Sequence, residues 1–428
     1  MAEIIPFSAW LYADKLRPQI AQLTVPTFDE IPAKQLNKRY QNPINSIHLS
    51  LPKSIKNLEK AGTLLQKWKT DGILMQAPSL AVYVYYQHFS LPGSQEQFCR
   101  KGFIAYIKAY PWEDEVILGH ENTISHALKE RIRLLEETQI QTSPTHGLYE
   151  DPENTLLPIM DHSMKKPILD FRNEMGIREQ LAAVKDPKDI MQFINHLKDQ
   201  KVILADGHHR LEASIQHREY SKAKNGQHTG NEAYNYHMMY FTNAHSDHLK
   251  ILPTHRLLSN VSLPKNQLLE KTAEFFAIEC ISIDLKLDSL RITQPWTFIL
   301  MLKQTAYKIS LRQEKYKLFI SAIPEVVKRL DISVLHYFFV DQVIGIPFRD
   351  QQHSKRIIYE TDRKNCQDLL NSGKADVALL TREISIEEVM EVCHSGYTLP
   401  QKSTYFYPKT SFGLLFGSIK EEEFITYP

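Results

Sequence analysis

Between an apolar stretch, "KVILA", and a helix-forming one, "RLEASIQHREY", the chain sets Asp206, Gly207, His208, His209 and Arg210 in a row. A carboxylate, a glycine, two imidazoles and a guanidinium are poor core material and good site material. A strand that ends in Asp-Gly and opens a helix leaves backbone N–H groups at a helix N-terminus, where they and the helix dipole favour an anion. Gly207 permits positive φ or a close approach of ligand to backbone. His208 and His209 add donors that strengthen on protonation, and Arg210 adds a planar fork suited to phosphate or carboxylate. The group describes a phosphate cradle. Asp206 is its odd member, because a carboxylate repels phosphate; it is expected to orient His or Arg, to bind a metal, or to take a hydroxyl proton. A purely structural account, a DG turn with a locally paired arginine, fits each residue singly better than all five together. Adjacent histidines face different sides of a helix, so the pair is weaker for chelation than an i, i+4 pair.

A second piece lies at "GHENTISHALKERIRLLEET". Ile124, Leu128, Leu135 and Thr138 share one helical face with Arg131 in its middle. An arginine on an apolar stripe needs an escape route for its head or an anionic partner, either a ligand phosphate or a buried carboxylate. His120 and Glu121 precede this helix at a strand end, where Glu121 can act as general base on a hydroxyl or serve as a first-turn carboxylate favoured by the dipole. A third piece, "LPQKSTYFYPKTSFG" (399–413), places Lys402, Ser403 and Thr404 before an aromatic strand and Lys409. Lysine followed by two hydroxyls suits phosphate or carboxylate, but the glycines of a P-loop are missing. The alternative is a strand that packs two domains together. If the box reaches the site, Lys402 completes a positive pocket with Arg131 and Arg210.

The elements that must position these residues follow from periodicity and turn signals. "AVYVYYQ" (81–87) and "GFIAYIKAY" (102–110) read as a hairpin, "EVILGHENT" leads into a helix over 124–139, and "DPKDIMQFINHLKDQ" is a helix feeding the strand "KVILA". "NYHMMYFTN" (235–243) is a further strand, and the polar run 221–233 reads as one long loop. From about 260 the pattern restarts with "QLLEKTAEFF", "WTFILML", "YKISLR" and "ISVLHYFFVDQVIG". This places a boundary at 258, with domains over 1–258 and 259–428.

At 428 residues and 43% hydrophobic composition the chain can bury more than one core. Its 51 basic and 50 acidic side chains nearly cancel, which argues against the broad positive field of a nucleic-acid binder. Cys99, Cys280, Cys366 and Cys393 are far apart without a CxxC, so neither a zinc finger nor a disulfide scaffold is indicated. No signal-like N-terminus and no membrane-length apolar run is present, and a cytoplasmic protein is expected.

Along its length, through "IIPFSAW", "VPTFDEI", "NPINSIHLS", "LADGHHRLEAS", "ILPTHRLL" and "LPQKSTYFYPKTSFGLL", the chain resembles the microbial family catalogued as domain of unknown function one-zero-one-five. That membership supplies no function. The order "HE", helix, then a strand ending in "DGHHR" is also similar to the ParB/sulfiredoxin-like superfamily, and most of all to its free-serine kinases. That resemblance implies that Gly207, His208, His209 and Arg210 grip nucleotide phosphates and that Glu121 is the base activating a substrate hydroxyl. Glu121 and Asp206 are 85 positions apart, so an insertion between about 140 and 185 is implied.

The expectation is an α/β protein with a mixed sheet: a ParB/sulfiredoxin-like N-terminal region and an α+β second domain. Its function would be nucleotide-dependent phosphoryl transfer to a small hydroxyl-bearing metabolite such as free serine, with Mg²⁺ and a nucleoside di- or triphosphate as cofactors and Glu121, His120 or Asp206 in catalysis. Two other classes compete. One is a ParB-like nucleotide switch associated with DNA, which the neutral charge and the lack of a clear helix-turn-helix disfavour. The other is a metal-dependent hydrolase using His120, His208 and His209.

Overall fold

Aromatic and β-branched residues alternate along 81–110, and in the computed structural model they become the centre of a nine-stranded mixed sheet. The structure describes residues 1–428 except 27–32, 122–124, 282–291, 320–321, 426 and 428. The strands are β1 (Ile4–Ile5), β2 (Val82–Ser90), β3 (Gln97–Lys108), β4 (Ile117–Gly119), β5 (Thr145–Tyr149), β6 (Leu169–Arg172), β7 (Arg178–Val184), β8 (Val202–Asp206) and β9 (Tyr236–Asn243). Their order is β4-β8-β5-β9-β3-β2-β7-β6, with β1 on β3. The expected hairpin is present as β2 and β3, paired antiparallel from Tyr83 opposite Ile104 to Ser90 opposite Gln97. Only β4 with β8 and β5 with β9 run parallel.

Both faces of this sheet are buried, which is why its strands read as nearly continuous apolar runs. Val82, Val84, Phe103, Ala105 and Phe241 face one core together with Phe193 and Leu211. Tyr83, Tyr85, Ile104 and Tyr106 face the other, against Trp68, Leu415 and Phe416. Three helices matter to the site: α1 (Ser125–Thr138), α2 (Pro187–Leu197) and α3 (His208–Lys224). α1 packs on α3 and buries Leu134, Leu135 and Thr138; Ile124 lies outside the described residues. Asp186 caps α2 by accepting from the Lys188 N–H, with Pro187 at the first helical position. The polar run 221–233 is less of a loop than its composition suggests. Its first four residues continue α3 to Lys224, and Glu232 accepts from the backbone N–H groups of Thr229 and Gly230.

A second unit spans Lys250–Tyr407. Its six-stranded antiparallel sheet consists of β10 (His255–Leu258), β11 (Phe276–Ile281), β12 (Thr297–Leu302), β13 (Thr305–Leu311), β14 (Ile357–Glu360) and β15 (Val377–Leu380), in the order β11-β13-β12-β15-β10-β14. Helices α4 (Lys265–Phe275), α5 (Arg363–Asn371) and α6 (Ile386–His394) accompany it, with a π-helix at Leu335–Val343. The fold is thus mixed α/β, followed by an α+β unit.

The boundary expected at 258 lies instead after Leu249, because β10 pairs with β14 and β15. Nor is the second half contiguous: residues 408–428 return to the first unit. There Phe412 bridges to Val25, Phe416 to Trp10, and Gly417 pairs with Gln141. The second unit is closed at its own ends by an antiparallel pair, Lys250 opposite Tyr407 and Ile251 opposite Phe406.

Candidate functional site

The parallel pairing of β4 and β8 brings the two sequence-predicted motifs together. Gly119 lies opposite Leu204, so the residues that follow the two strands, His120–Glu121 and Gly207–Arg210, emerge at the same end of the sheet. The 85 intervening positions form other parts of the unit and leave this junction intact. On the other side of β8, antiparallel β5 places His146 opposite Asp206.

Asp206 is the electrostatic centre. Its Oδ1 accepts from Lys409 Nζ at 2.5 Å and its Oδ2 from Arg210 Nη2 at 2.9 Å. Burial alone would raise its pKa, but Lys409 and Arg210 prevail and hold the carboxylate well below its ordinary range. A carboxylate this stabilised, with both oxygens engaged, is a weak base and a firm anchor. Of the roles open to Asp206 in the sequence, the geometry favours orientation of Arg210. Arg210 Nη1 also donates to the Pro144 carbonyl at 2.8 Å and to the Ser143 hydroxyl, and the guanidinium lies over the Phe412 ring at 5.3 Å.

Gly207 is required twice over. Its φ of +93° falls where side chains are strained, and a Cβ there would lie 2.6 Å from Thr145 Cγ2 and 2.9 Å from Arg210 Nη2. The turn therefore seats Arg210 against the backbone at the start of α3.

His120 is 1% exposed and His208 8%. His120 Nδ1 donates to the Leu204 carbonyl at 2.6 Å, which fixes that tautomer and leaves Nε2 as the acceptor, 4.0 Å from Glu121 Oε1. His208 Nε2 accepts from the His120 backbone N–H at 3.3 Å, and the two rings meet edge to face at 4.5 Å. Burial pushes both histidines below their ordinary pKa, His208 further because His120 adjoins it. Desolvation thus disfavours the protonated form of His208, in which it would donate more strongly. His209, next along α3, is half-buried.

Arg131 and Arg210 line one cavity. Its other walls include Leu135, Ser143, Ser214, His237 and Phe412. Arg131 Nη1 donates to the Ser50 carbonyl at 2.6 Å. His237 sits between the Thr145 hydroxyl at Nε2, 2.9 Å, and the Ser214 hydroxyl at Nδ1, 2.7 Å.

The C-terminal box is divided between the units. Lys402, Ser403 and Thr404 belong to the second, where Lys402 is exposed and has a φ of +56°. The anchoring there is done by backbone: the Gln401 and Lys402 carbonyls accept from Arg256 Nη2 at 3.2 and 3.1 Å, and the Ser403 hydroxyl donates to the Pro400 carbonyl. Lys409 belongs to the first unit and is the lysine of the box that joins the Asp206 cluster. Sequence reading noted Lys409 without giving it a role, and passed over Ser143, Thr145 and His237, which look like ordinary loop and strand polar residues.

The model of a family described as a protein of unknown function (DUF1015) matches residues 4–333. No curated protein matches the chain. Similar solved structures include a conserved hypothetical protein from Pyrococcus furiosus, with 13% identity, a TM-score of 0.34 and coverage of 71% of this chain and 90% of that one. A free serine kinase in complex with AMP has 13% identity, a TM-score of 0.35 and coverage of 71% and 86%. SbnI with C-terminal truncation from Staphylococcus aureus has 12% identity, a TM-score of 0.33 and coverage of 73% and 82%. TM-scores this low transfer no activity. Among the described residues no helix is long and apolar enough to cross a membrane.

Proposed function

Since the chain belongs to DUF1015, a family of unknown function whose model matches residues 4–333, the reaction has to be argued from the site, and we propose nucleotide-dependent phosphoryl transfer to a small hydroxyl-bearing metabolite such as free serine. The observation that carries this reading is the juxtaposition of parallel strand ends, which sets Glu121 beside the N-terminus of α3. An anion-favouring helix terminus and a carboxylate at one sheet end are the two parts that phosphoryl transfer to an alcohol needs.

The nucleotide's phosphates would lie against the start of α3 at Gly207, His208 and His209, with Arg131 and Arg210 supplying positive charge from the cavity they share. Asp206 and Lys409 hold Arg210 in place. Glu121, half-buried, would accept the acceptor hydroxyl's proton as its oxygen attacks the terminal phosphorus and the bond to the leaving nucleotide oxygen breaks. Mg²⁺ would accompany the nucleotide and neutralise charge on its phosphates.

A thermal-shift screen of ATP, ADP, CTP and GTP with Mg²⁺ tests the first half. A ligand present at 100 times its Kd stabilises by about 2.7 kcal/mol, a shift expected in wild type and lost in Arg210→Ala and Arg131→Ala. Glu121→Gln should keep the shift and lose turnover by at least about 10²-fold, serine being the first acceptor tried. No shift with any nucleotide overturns the reading. A nucleotide shift without turnover of any acceptor leaves a nucleotide-gated binding protein.

A further inference from the structure

Three groups that can ligate a metal converge just outside the ends of β4 and β8. One ligand atom each from His120, Glu121 and His208 lies within 4.8 Å of the other two. The geometry points to a protein-borne site for a divalent transition-metal ion of the Zn²⁺, Mn²⁺ and Co²⁺ class, held by His120, Glu121 and His208 independently of any nucleotide.

The first support is the direction of the lone pairs. His120 spends its Nδ1 proton on the Leu204 carbonyl at 2.6 Å, so its Nε2 presents a lone pair toward Glu121 Oε1, 4.0 Å away. A backbone carbonyl fixing the far nitrogen is the usual second partner of a metal-bound imidazole, because it sets the tautomer and the ring's orientation. His208 Nε2 also carries a lone pair, since it accepts the His120 N–H at 3.3 Å, a long bond that competes weakly with a metal. Two imidazole acceptors and a carboxylate thus converge, and a cation would engage all three once His208 Nε2 gives up the His120 N–H.

The second support is rigidity. His120 is 1% exposed and held by the strand end, and His208 opens a helix of 17 residues, so rotation of the half-buried Glu121 is the main adjustment needed. Metal–ligand bonds of about 2.0–2.2 Å require the ligand atoms to draw together by roughly 1 Å from their present limit.

Ligand chemistry then selects the ion. Mg²⁺ prefers oxygen and water, whereas two imidazoles and one carboxylate suit Zn²⁺, Co²⁺ and Mn²⁺. Three protein ligands leave a position open, the mark of a catalytic rather than a structural site. That position would take an oxygen from a bound anion or a water. His209, the other half of the HH pair, lies outside this trio. The inference deepens the phosphoryl-transfer reading by giving a divalent ion its own place beside the phosphate cradle, and with an ion present Glu121 serves as a ligand through one oxygen.

The test is Co²⁺ titration of metal-stripped full-length protein without nucleotide, read by visible absorption. Saturation at one equivalent is expected. Affinity should fall at least tenfold in His120→Gln, His208→Gln and Glu121→Gln and be kept in His209→Gln, with circular dichroism checking that each variant is folded. The Glu121 side chain, 17% exposed, is less buried than His120, so its variant stays informative should a histidine variant unfold. No stoichiometric absorbance in wild type, or a loss in His209→Gln equal to that in Glu121→Gln, overturns the site. The nucleotide screen on the same preparation separates the claims: nucleotide binding without a cobalt signal removes the metal site alone, and a cobalt signal without nucleotide binding removes the kinase reading alone.

Discussion

Asp206 shows how one residue's role depends on its partners. In isolation a carboxylate beside a phosphate cradle is a candidate base; with Lys409 at 2.5 Å and Arg210 at 2.9 Å it is the pivot of an ion-paired triad. Removing Asp206 leaves two cations uncompensated in a largely buried setting, whereas removing Lys409 leaves the Asp206–Arg210 pair. Asp206→Asn should therefore cost roughly 3 kcal/mol in urea denaturation, and Lys409→Met added to it should recover part of that loss. An additive double variant would mean that the pair is uncoupled. His237 gives a pH-dependent counterpart. Burial first, and then Arg210, push its pKa down to about 3, so the unfolded chain binds a proton that the folded chain refuses. Stability attributable to His237 is intact above about pH 6.5 and is lost as pH falls toward the folded value, amounting to about 2 kcal/mol between pH 6.5 and 5. His237→Gln should flatten the acid limb by that much relative to wild type in denaturation curves at the two pH values, and an unchanged limb would count against the assignment.

At the scale of elements, the junction between β8 and α3 carries the site, and Gly207 is its weakest point chemically. Alanine there must adopt a φ near +93° and make room against Thr145 Cγ2 at 2.6 Å. Gly207→Ala is expected to destabilise by about 2–3 kcal/mol, and to weaken nucleotide binding more than its effect on stability explains, since Arg210 lies against the same carbon. Stability measured by urea and binding measured by calorimetry separate the two effects; full affinity in a destabilised variant would show that Arg210's seat does not matter for binding. The partner strand β4 is only three residues long, yet its parallel register with β8 decides whether Glu121 meets the α3 terminus.

For the molecule as a whole, the second unit enters and leaves through one antiparallel pair, Lys250 opposite Tyr407. Such paired residues have Cα atoms about 5 Å apart, so a short linker can replace everything between them. A chain joining Leu249 to Pro408 through three glycines or serines should fold as the first unit and keep the Asp206–Lys409 pair. By contrast, a chain ending at Tyr407 lacks Lys409, Phe412 and Phe416, and should lose cooperative unfolding of the first unit. Circular dichroism melts of the two truncations check this, and a stable chain ending at 407 would show the returning segment to be dispensable.

Much of this arrangement was legible in the residues themselves. Local period and turn chemistry marked β2, β3, α2, β8 and α3, because strand alternation, Pro187 and the Asp-Gly junction are properties of neighbours in the chain. The same local signals marked the DGHHR box as a candidate site and Arg131 as a residue in need of a partner. They could not mark the cut at 249, since β10 looks alike whether it joins the sheet before it or the one after it. They could not give Lys409 its partner, because that contact spans 203 positions and arises only when the tail returns to the first unit. Nor could they say that burial disfavours a charged His208 or that Asp206 is ion-paired on both oxygens: desolvation and ion pairing are set by what folds around a side chain. The sequence by itself determined which chemical groups this protein carries and which local elements present them. Only the tertiary structure decided which of those groups share a space, because proximity across the sheet depends on strand order and register, and charge state depends on burial.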